Sequence, residues 1–198
     1  MQRRDLLKLS AMFLGGTVSA SLSQALLADV SANPKAFVRV FDAGQQQSVK
    51  LLSDMIIPNT DTPGAVEAGV HDFIATIVDE WYTETERSIF MEGLAALDTY
   101  CQEHSQQHFH LTDESGRVAA LQYMEKLASQ YKSPQAATQM ARPAIDETEP
   151  FFTKLKGLVV LGYYTSEVGS TQELAYRPVP GTYNGDYDFA QVGRQWSH

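Results

Sequence analysis

The spacing of apolar side chains is the feature that most constrains the fold of this 198-residue chain, because that spacing is helical over most of the length. Residues 44–57 place apolar side chains three or four positions apart, and Pro58 ends the run. Four later segments show the same spacing: 65–81, 83–101, 113–131 and 144–167. Thr83 followed by Glu86 matches a capping box and predicts a helix start. Since strand-like alternation is absent, we expect an all-α fold, a single domain of about five helices.

The charge and the motif content of the chain argue against several classes of function. Its formal net charge of −9 is the opposite of the lysine and arginine surplus that binding to nucleic acid requires. A single cysteine excludes an internal disulfide, an all-cysteine zinc site and a self-contained iron–sulfur cluster. The motifs of phosphate-binding loops, serine hydrolases, zinc proteases and c-type haem attachment are missing. We therefore expect no catalytic residue and no cofactor-binding residue in this chain.

Residues 1–28 have the three parts of an export signal. Arg3 and Arg4 form a basic start, a weakly apolar stretch follows, and small residues stand near the end. The paired arginines indicate the twin-arginine route. Cleavage is expected between residues 25 and 32, while an uncleaved anchor and a basic amphipathic N-terminus stay open as alternatives. The helical domain would then span residues 29–198.

Residues 169–198 break the helical pattern and are expected to form an extended C-terminal arm. Glycine and proline prevent a long helix there, yet the aromatic content is too high for a solvated tail. The arm either packs on its own helices or lies on another protein, since Tyr and Trp are favoured at interfaces. The residues of a possible partner interface lie in the arm and at the helix end before it: Tyr163, Tyr164, Tyr176, Tyr183, Tyr187 and Trp196.

One group of side chains raises the question of a metal site. Cys101, His104 and His108 would lie on one side of a helix, and a thiolate with two imidazoles can bind zinc or copper. His110 and Asp113 could complete the shell. The spacing matches no recognised metal motif, however, and the thiol continues the apolar face of its helix. A disulfide from Cys101 to another chain is a third interpretation, which requires the thiol to lie near the surface.

Two groups of carboxylates stand near predicted helix starts, where negative charge is favoured by the helix dipole. Paired carboxylates can perform acid–base chemistry if burial separates their pKa values. We interpret these groups as solvated helix ends instead: Glu80, Glu84 and Glu86, and Asp146, Glu147 and Glu149.

Two stretches of the chain carry a family resemblance. Residues 56–65, continued by 70–74, form a turn flanked by prolines, and residues 151–158, continued by 162–169, end a helix with two tyrosines. The resemblance continues after the second stretch in Tyr176, residues 180–181 and residues 183–185. Together with the twin-arginine start, these motifs resemble the gluconate 2-dehydrogenase subunit 3 family, the small subunit of membrane-bound flavin-dependent sugar and sugar-acid dehydrogenases.

The resemblance implies a complex of three parts. A large subunit would hold FAD and oxidise the substrate, and a multihaem cytochrome c subunit would pass electrons to the respiratory chain. The small subunit would bind the flavoprotein, assist its maturation and supply the twin-arginine export signal, so that the complex is periplasmic and associated with the membrane. The resemblance assigns no catalytic residue to this chain. The alternative function is a stand-alone periplasmic helical protein that binds metal near Cys101, His104 and His108.

Overall fold

The prediction of an all-α fold is confirmed. A computed structural model describes residues 40–133, 146–179, 181, 186 and 188–197. In these residues five helices have seven residues or more: α1, Ala43–Ile56; α2, Val70–Thr76; α3, Glu84–Ser105; α4, Glu114–Ser129; and α5, Phe151–Thr165. The shorter pieces are two π-helical turns, Ile77–Trp81 and Gly169–Glu173, a 3-10 turn, Phe109–Leu111, and a short helix α6, Phe189–Val192. The same residues contain no strand, and none of their helices has the length and hydropathy needed to span a lipid bilayer.

Local sequence signals fix the starts of α1 and α3. Asp42 Oδ1 accepts the backbone N–H of Gln45 at 2.8 Å, and Gln45 Oε1 accepts the N–H of Asp42 at 2.9 Å. The predicted capping box at α3 is present, with Thr83 Oγ1 accepting from the Glu86 N–H at 3.3 Å and Glu86 Oε2 accepting from the Thr83 N–H at 3.1 Å. Each box satisfies two backbone donors that a helix start leaves unpaired.

Two helices begin later than the apolar spacing predicts. Helix α2 begins at Val70 rather than near residue 65, because Gly69 has a left-handed backbone with φ of +72° that separates it from the preceding turn. Helix α5 begins at Phe151 rather than near residue 144, because Pro150 disfavours helical geometry in the residue before it. The helical path from α2 also ends in the π-helical turn rather than continuing as a regular helix.

Helix α5 is the centre of the fold and packs against α2, α3 and α4. Its buried face consists largely of apolar side chains: Phe151, Phe152, Leu155, Leu158, Val159 and Tyr163. Two glycines let helices approach closely, since a Cβ on Gly93 of α3 would lie 2.2 Å from the Phe151 side chain, and one on Gly162 of α5 would lie 2.6 Å from Phe73. The inner face of α5 is therefore closely packed against its neighbours.

A buried ion pair joins the first turns of α3 and α5. Lys154 Nζ donates to Glu86 Oε1 at 3.2 Å, and the two residues are only 6% and 7% exposed. The ammonium also donates to the backbone carbonyl of Asp146 at 3.4 Å and lies 5.5 Å from the centre of the Tyr82 ring. The interpretation of Glu86 as part of a solvated helix end was therefore wrong, because this carboxylate faces a lysine of a distant helix.

Candidate functional site

Helix α5 carries large apolar side chains on its outer face as well as on the face that it buries. The outer positions are Thr153, Lys156, Gly157, Val160, Leu161, Tyr164 and Thr165. Leu161 is 53% exposed, Val160 and Tyr164 are also exposed, and Lys156 carries the one charge of the set. A helix that is apolar all round is normally buried. This outer face is therefore better suited to contact with another protein than with water.

A groove of about 660 Å³ runs along the outer face, between α5 and α4. Its lining is mainly apolar, and its residues come from both helices: Glu125, Ala128, Ser129, Phe152, Thr153, Lys156, Gly157, Val160 and Leu161. A Cβ placed on Gly157 would meet no atom of the chain within 4 Å, so the space above this glycine is open. Small-molecule sites usually combine an enclosed pocket with several convergent polar groups. The open, apolar groove fits side chains of a protein partner better.

The two motifs behind the family resemblance meet at the C-terminal end of α5. Tyr163 donates its hydroxyl proton to the carbonyl of Pro63 at 2.8 Å, and the N–H of Ala65 donates to the carbonyl of Ile57 at 2.9 Å to close the turn. Tyr163 is 2% exposed. A partner could not contact its ring without opening the fold, so the structure places Tyr163 in the core and gives it a role in holding the turn.

The base of the C-terminal arm is fastened to the helical domain. Thr62 Oγ1 donates to Glu173 Oε2 at 2.5 Å, which ties the proline-flanked turn to the second π-helical turn. The N–H of Ala175 donates to the carbonyl of Gln195 at 2.8 Å, and the N–H of Ser197 donates to the carbonyl of Ala175 at 3.0 Å. The two ends of the arm are therefore held side by side, as an isolated parallel bridge.

Several aromatic and apolar side chains near this base are open to solvent. Tyr164, Tyr176 and Trp196, which the sequence assigned to a possible interface, are all exposed. Val179 and Phe189 of the arm are exposed as well. The remaining two predicted interface residues, Tyr183 and Tyr187, lie outside the described residues. Three of the six predicted positions are thus available to a partner.

The single cysteine lies inside the domain. Cys101 is 2% exposed, and burial raises the pKa of its thiol, while a hydrogen bond with Thr112 lowers it by less. A disulfide to another chain would require this thiol to reach the surface. The packing of α3 prevents that in the folded protein.

His108 does not share the helix face of this cysteine as the spacing predicts, although His104 lies on the same helix. Helix α3 ends at Ser105, and Gln106 after it is left-handed, so His108 lies beyond the helix. His104 Nδ1 lies 2.8 Å from the carbonyl of Tyr100, whereas His108 Nδ1 lies 2.6 Å from Asp98 Oδ2. Within the described residues, no group of three or more His, Cys, Asp or Glu side chains is placed to hold a metal ion.

The other predicted carboxylates divide between the surface and a local hydrogen-bond cluster. Glu80 and Glu84 are exposed. Asp146 Oδ2 accepts from Ser133 Oγ at 2.6 Å and from the Tyr131 hydroxyl at 2.9 Å. These hydrogen bonds, together with that from Thr148, hold the pKa of the Asp146 carboxyl at about 2. Asp146 thus links the end of α4 to the approach to α5, and its environment keeps it ionised rather than poised for proton transfer.

The predicted export signal, with Arg3 and Arg4, lies outside the described residues.

Comparison with known protein families places this chain in a family. The family model described as gluconate 2-dehydrogenase subunit 3 matches residues 43–181, which is more than half of the chain. No curated protein and no solved structure matches. The matched range begins at the first residue of α1 and contains both motifs, the outer face of α5 and the groove beside it.

Proposed function

The chain belongs to the gluconate 2-dehydrogenase subunit 3 family, and from that membership we propose that it is a non-catalytic small subunit of a flavin-dependent sugar or sugar-acid dehydrogenase. In this proposal a separate large subunit holds FAD and oxidises the substrate. A multihaem cytochrome c subunit takes the electrons onward. The present chain binds the large subunit, assists its maturation and gives it structural support. The family description supports assembly with other chains, because it calls the members of this family subunit 3 of a dehydrogenase.

The outer face of α5 is the observation that carries this proposal. The inner face of the helix is fully used by the core, and the residues from 157 to 165 contain no charged side chain. Burying apolar surface of this kind contributes about 25 cal/mol per Å², so an unpartnered face is a source of binding free energy. We propose that the flavoprotein subunit covers this face and the adjoining groove, and that exposed aromatic residues of the arm extend the contact.

The export of the complex is the second part of the proposal. Residues 1–28 would be a twin-arginine signal, and the flavoprotein would cross the membrane folded and bound to this chain. The signal would be removed between residues 25 and 32 or kept as an anchor. Loss of the signal takes away three basic residues and one acidic residue, which makes the remainder more acidic and less suited to anionic lipid. The periplasmic complex would therefore be held at the membrane by a partner or by the retained signal rather than by the charge of this chain.

A substitution at Gly157 tests the docking surface without disturbing the fold. Gly157→Arg should retain or slightly raise thermal stability, because the new Cβ meets no atom within 4 Å and a glycine inside a helix costs about 0.5–1 kcal/mol relative to alanine. The arginine should weaken co-purification with the flavoprotein subunit, since a charged side chain would enter an apolar contact. Ala96→Arg, at an exposed position of α3, is the matched control. Equal binding by the two variants would contradict docking on α5.

Substitution of both arginines tests the export role. Arg3→Lys with Arg4→Lys should leave this chain and its flavoprotein in the cytoplasm, as measured by fractionation and immunoblotting of both proteins. Normal export of the flavoprotein in that strain would contradict the escort role. The complex should still form in the cytoplasm, so export and assembly are tested separately.

A further inference from the structure

Trp81 is exposed to an extent that the fold does not explain. It is 75% exposed, whereas the other tryptophan, Trp196, is 39% exposed. Trp81 is the last residue of the π-helical turn Ile77–Trp81, and Tyr82 after it is extended. Turns of this kind are rare and occur frequently at functional sites. Because so little of the indole is buried, it contributes little to the stability of its own chain.

The turn that presents Trp81 is braced from α3. Arg87 Nε donates to the carbonyl of Val78 at 3.0 Å, and Arg87 Nη2 donates to the carbonyl of Asp79. These carbonyls belong to the second and third residues of the turn, and no continuing helix supplies them with a backbone donor. Val78 itself is fully buried. The backbone that leads to the indole is therefore held in place before any partner arrives, which reduces the entropy lost on binding.

The surroundings of this indole are acidic. Glu80 and Glu84 are exposed on either side of it in the sequence. The basic side chains of the region are already engaged, Arg87 with the backbone and Lys154 with Glu86. A partner that approaches here meets the apolar indole of Trp81 with the carboxylates of Glu80 and Glu84 close to it in the sequence.

We infer that Trp81 anchors this chain in an apolar pocket of the flavoprotein subunit that is rimmed by lysine and arginine side chains. Tryptophan is enriched among the residues that dominate binding free energy, and an indole face attracts a guanidinium or ammonium group. The acidic side chains beside it would steer the cationic rim into place. The inference rests on the proposed function, since it names the surface chemistry of the partner assumed there.

Fluorine NMR of the full chain labelled with 5-fluorotryptophan tests the inference. The two tryptophans give two resonances, which the variant Trp196→Phe assigns. Adding purified, unlabelled flavoprotein subunit should shift or broaden the Trp81 resonance. Trp81→Ala should weaken the complex by about 30-fold or more, as for a binding hot spot, and should change the Tm of the free chain by about 2 °C at most. Leu111→Ala, another exposed large apolar residue away from this turn, is the control and should bind as the wild type does.

A pair of matched charge reversals, one beside Trp81 and one far from it, tests the chemistry of the rim. Glu80→Lys should weaken association about tenfold at low salt, and the difference should diminish in 0.5 M salt. Glu103→Lys makes the same change in net charge near the other end of α3, about 28 Å along the helix from Glu84, and should leave binding unchanged.

The outcomes separate this inference from the proposed function. A complex that forms while the Trp81 resonance stays unmoved, with Trp81→Ala binding normally, overturns the inference alone. Equal effects of Glu80→Lys and Glu103→Lys overturn the cationic rim. Failure of the wild-type chain to bind the flavoprotein overturns the proposed function and, with it, this inference.

Discussion

Replacing Lys154 with methionine should destabilise the protein by about 3 kcal/mol, because the Glu86 carboxylate would stay buried without its cation. Methionine keeps most of the apolar stem of lysine, so the change removes charge more than volume. Removing one partner of a buried ion pair typically costs about 3–5 kcal/mol. We expect the lower end, since Glu86 Oε2 keeps its hydrogen bonds from the backbone and hydroxyl of Thr83, at 3.1 and 3.2 Å.

The loss should depend on pH in a defined direction. Burial raises the pKa of the Glu86 carboxyl, but the backbone N–H of Thr83 and the Lys154 ammonium lower it by more, so the pKa lies below its ordinary value. A carboxyl with a lowered pKa stabilises the fold above the unfolded-state pKa of about 4, and this contribution disappears as pH falls through the folded-state pKa. Without the lysine, its hydrogen bond and its positive charge no longer lower the pKa of Glu86, so that pKa rises. The gap between wild type and variant should therefore be widest near pH 7 and should close in acid.

Thermal and urea unfolding followed by circular dichroism measure the effect. A loss of about 3 kcal/mol corresponds to a Tm lower by about 6–12 °C for a chain of this size. The double variant Glu86→Gln with Lys154→Met should recover part of the loss, because no unpaired charge remains buried and glutamine also serves in a capping box. A Tm for Lys154→Met within 1 °C of wild type, or losses that simply add in the double variant, would show that the Glu86 carboxylate does not depend on Lys154.

Three further outcomes follow from the packing and hydrogen bonds. Gly93→Val should destabilise the protein by about 1–3 kcal/mol or more, since the new Cβ would lie 2.2 Å from Phe151; unfolding at the wild-type urea midpoint would contradict this. Asp146→Asn should lower stability at pH 7, and the difference should vanish as pH falls towards 2, because the pKa of this carboxyl is held at about 2 in the fold; a pH-independent difference in urea titrations would contradict the hydrogen-bond cause. Cys101 should react with a thiol reagent such as DTNB only after unfolding, whereas rapid labelling of the native chain would show that the thiol is not buried.

The helices were predictable because their signals are local. Pro58 stops α1, and Thr83 with Glu86 starts α3, within stretches of a few residues. The pairing of Glu86 with Lys154 could not be found in this way, since the two residues lie 68 positions apart. Glu86 caps α3 and pairs with Lys154 at the same time. One of its carboxylate oxygens accepts from the Thr83 N–H, and the other accepts from the lysine ammonium. The capping pattern therefore explained the residue fully and left no sign of its second role.

The candidate interface was predictable in part. Tyr163 and Tyr164 are neighbours in the sequence, yet they are about 100° apart around α5, so one enters the core and the other is exposed. Composition cannot show which of the two tyrosines is buried until the helices that pack on α5 are known. The outer residues Gly157, Val160 and Leu161 were not singled out, because apolar residues in a helix usually indicate core. The available signal was the absence of charge from 157 to 165, which leaves no polar face for solvent.

Native purification of the tagged full chain from periplasm and membranes, with an absorption spectrum of the eluate, tests whether this chain is a subunit of a flavoprotein complex. We expect a larger co-purifying chain in fixed ratio and the absorption bands of bound flavin. Dye-linked assays over sugars and sugar acids would then identify the substrate of the complex. A colourless eluate that contains this chain alone, from cells that produce the flavoprotein, would contradict the role as a subunit.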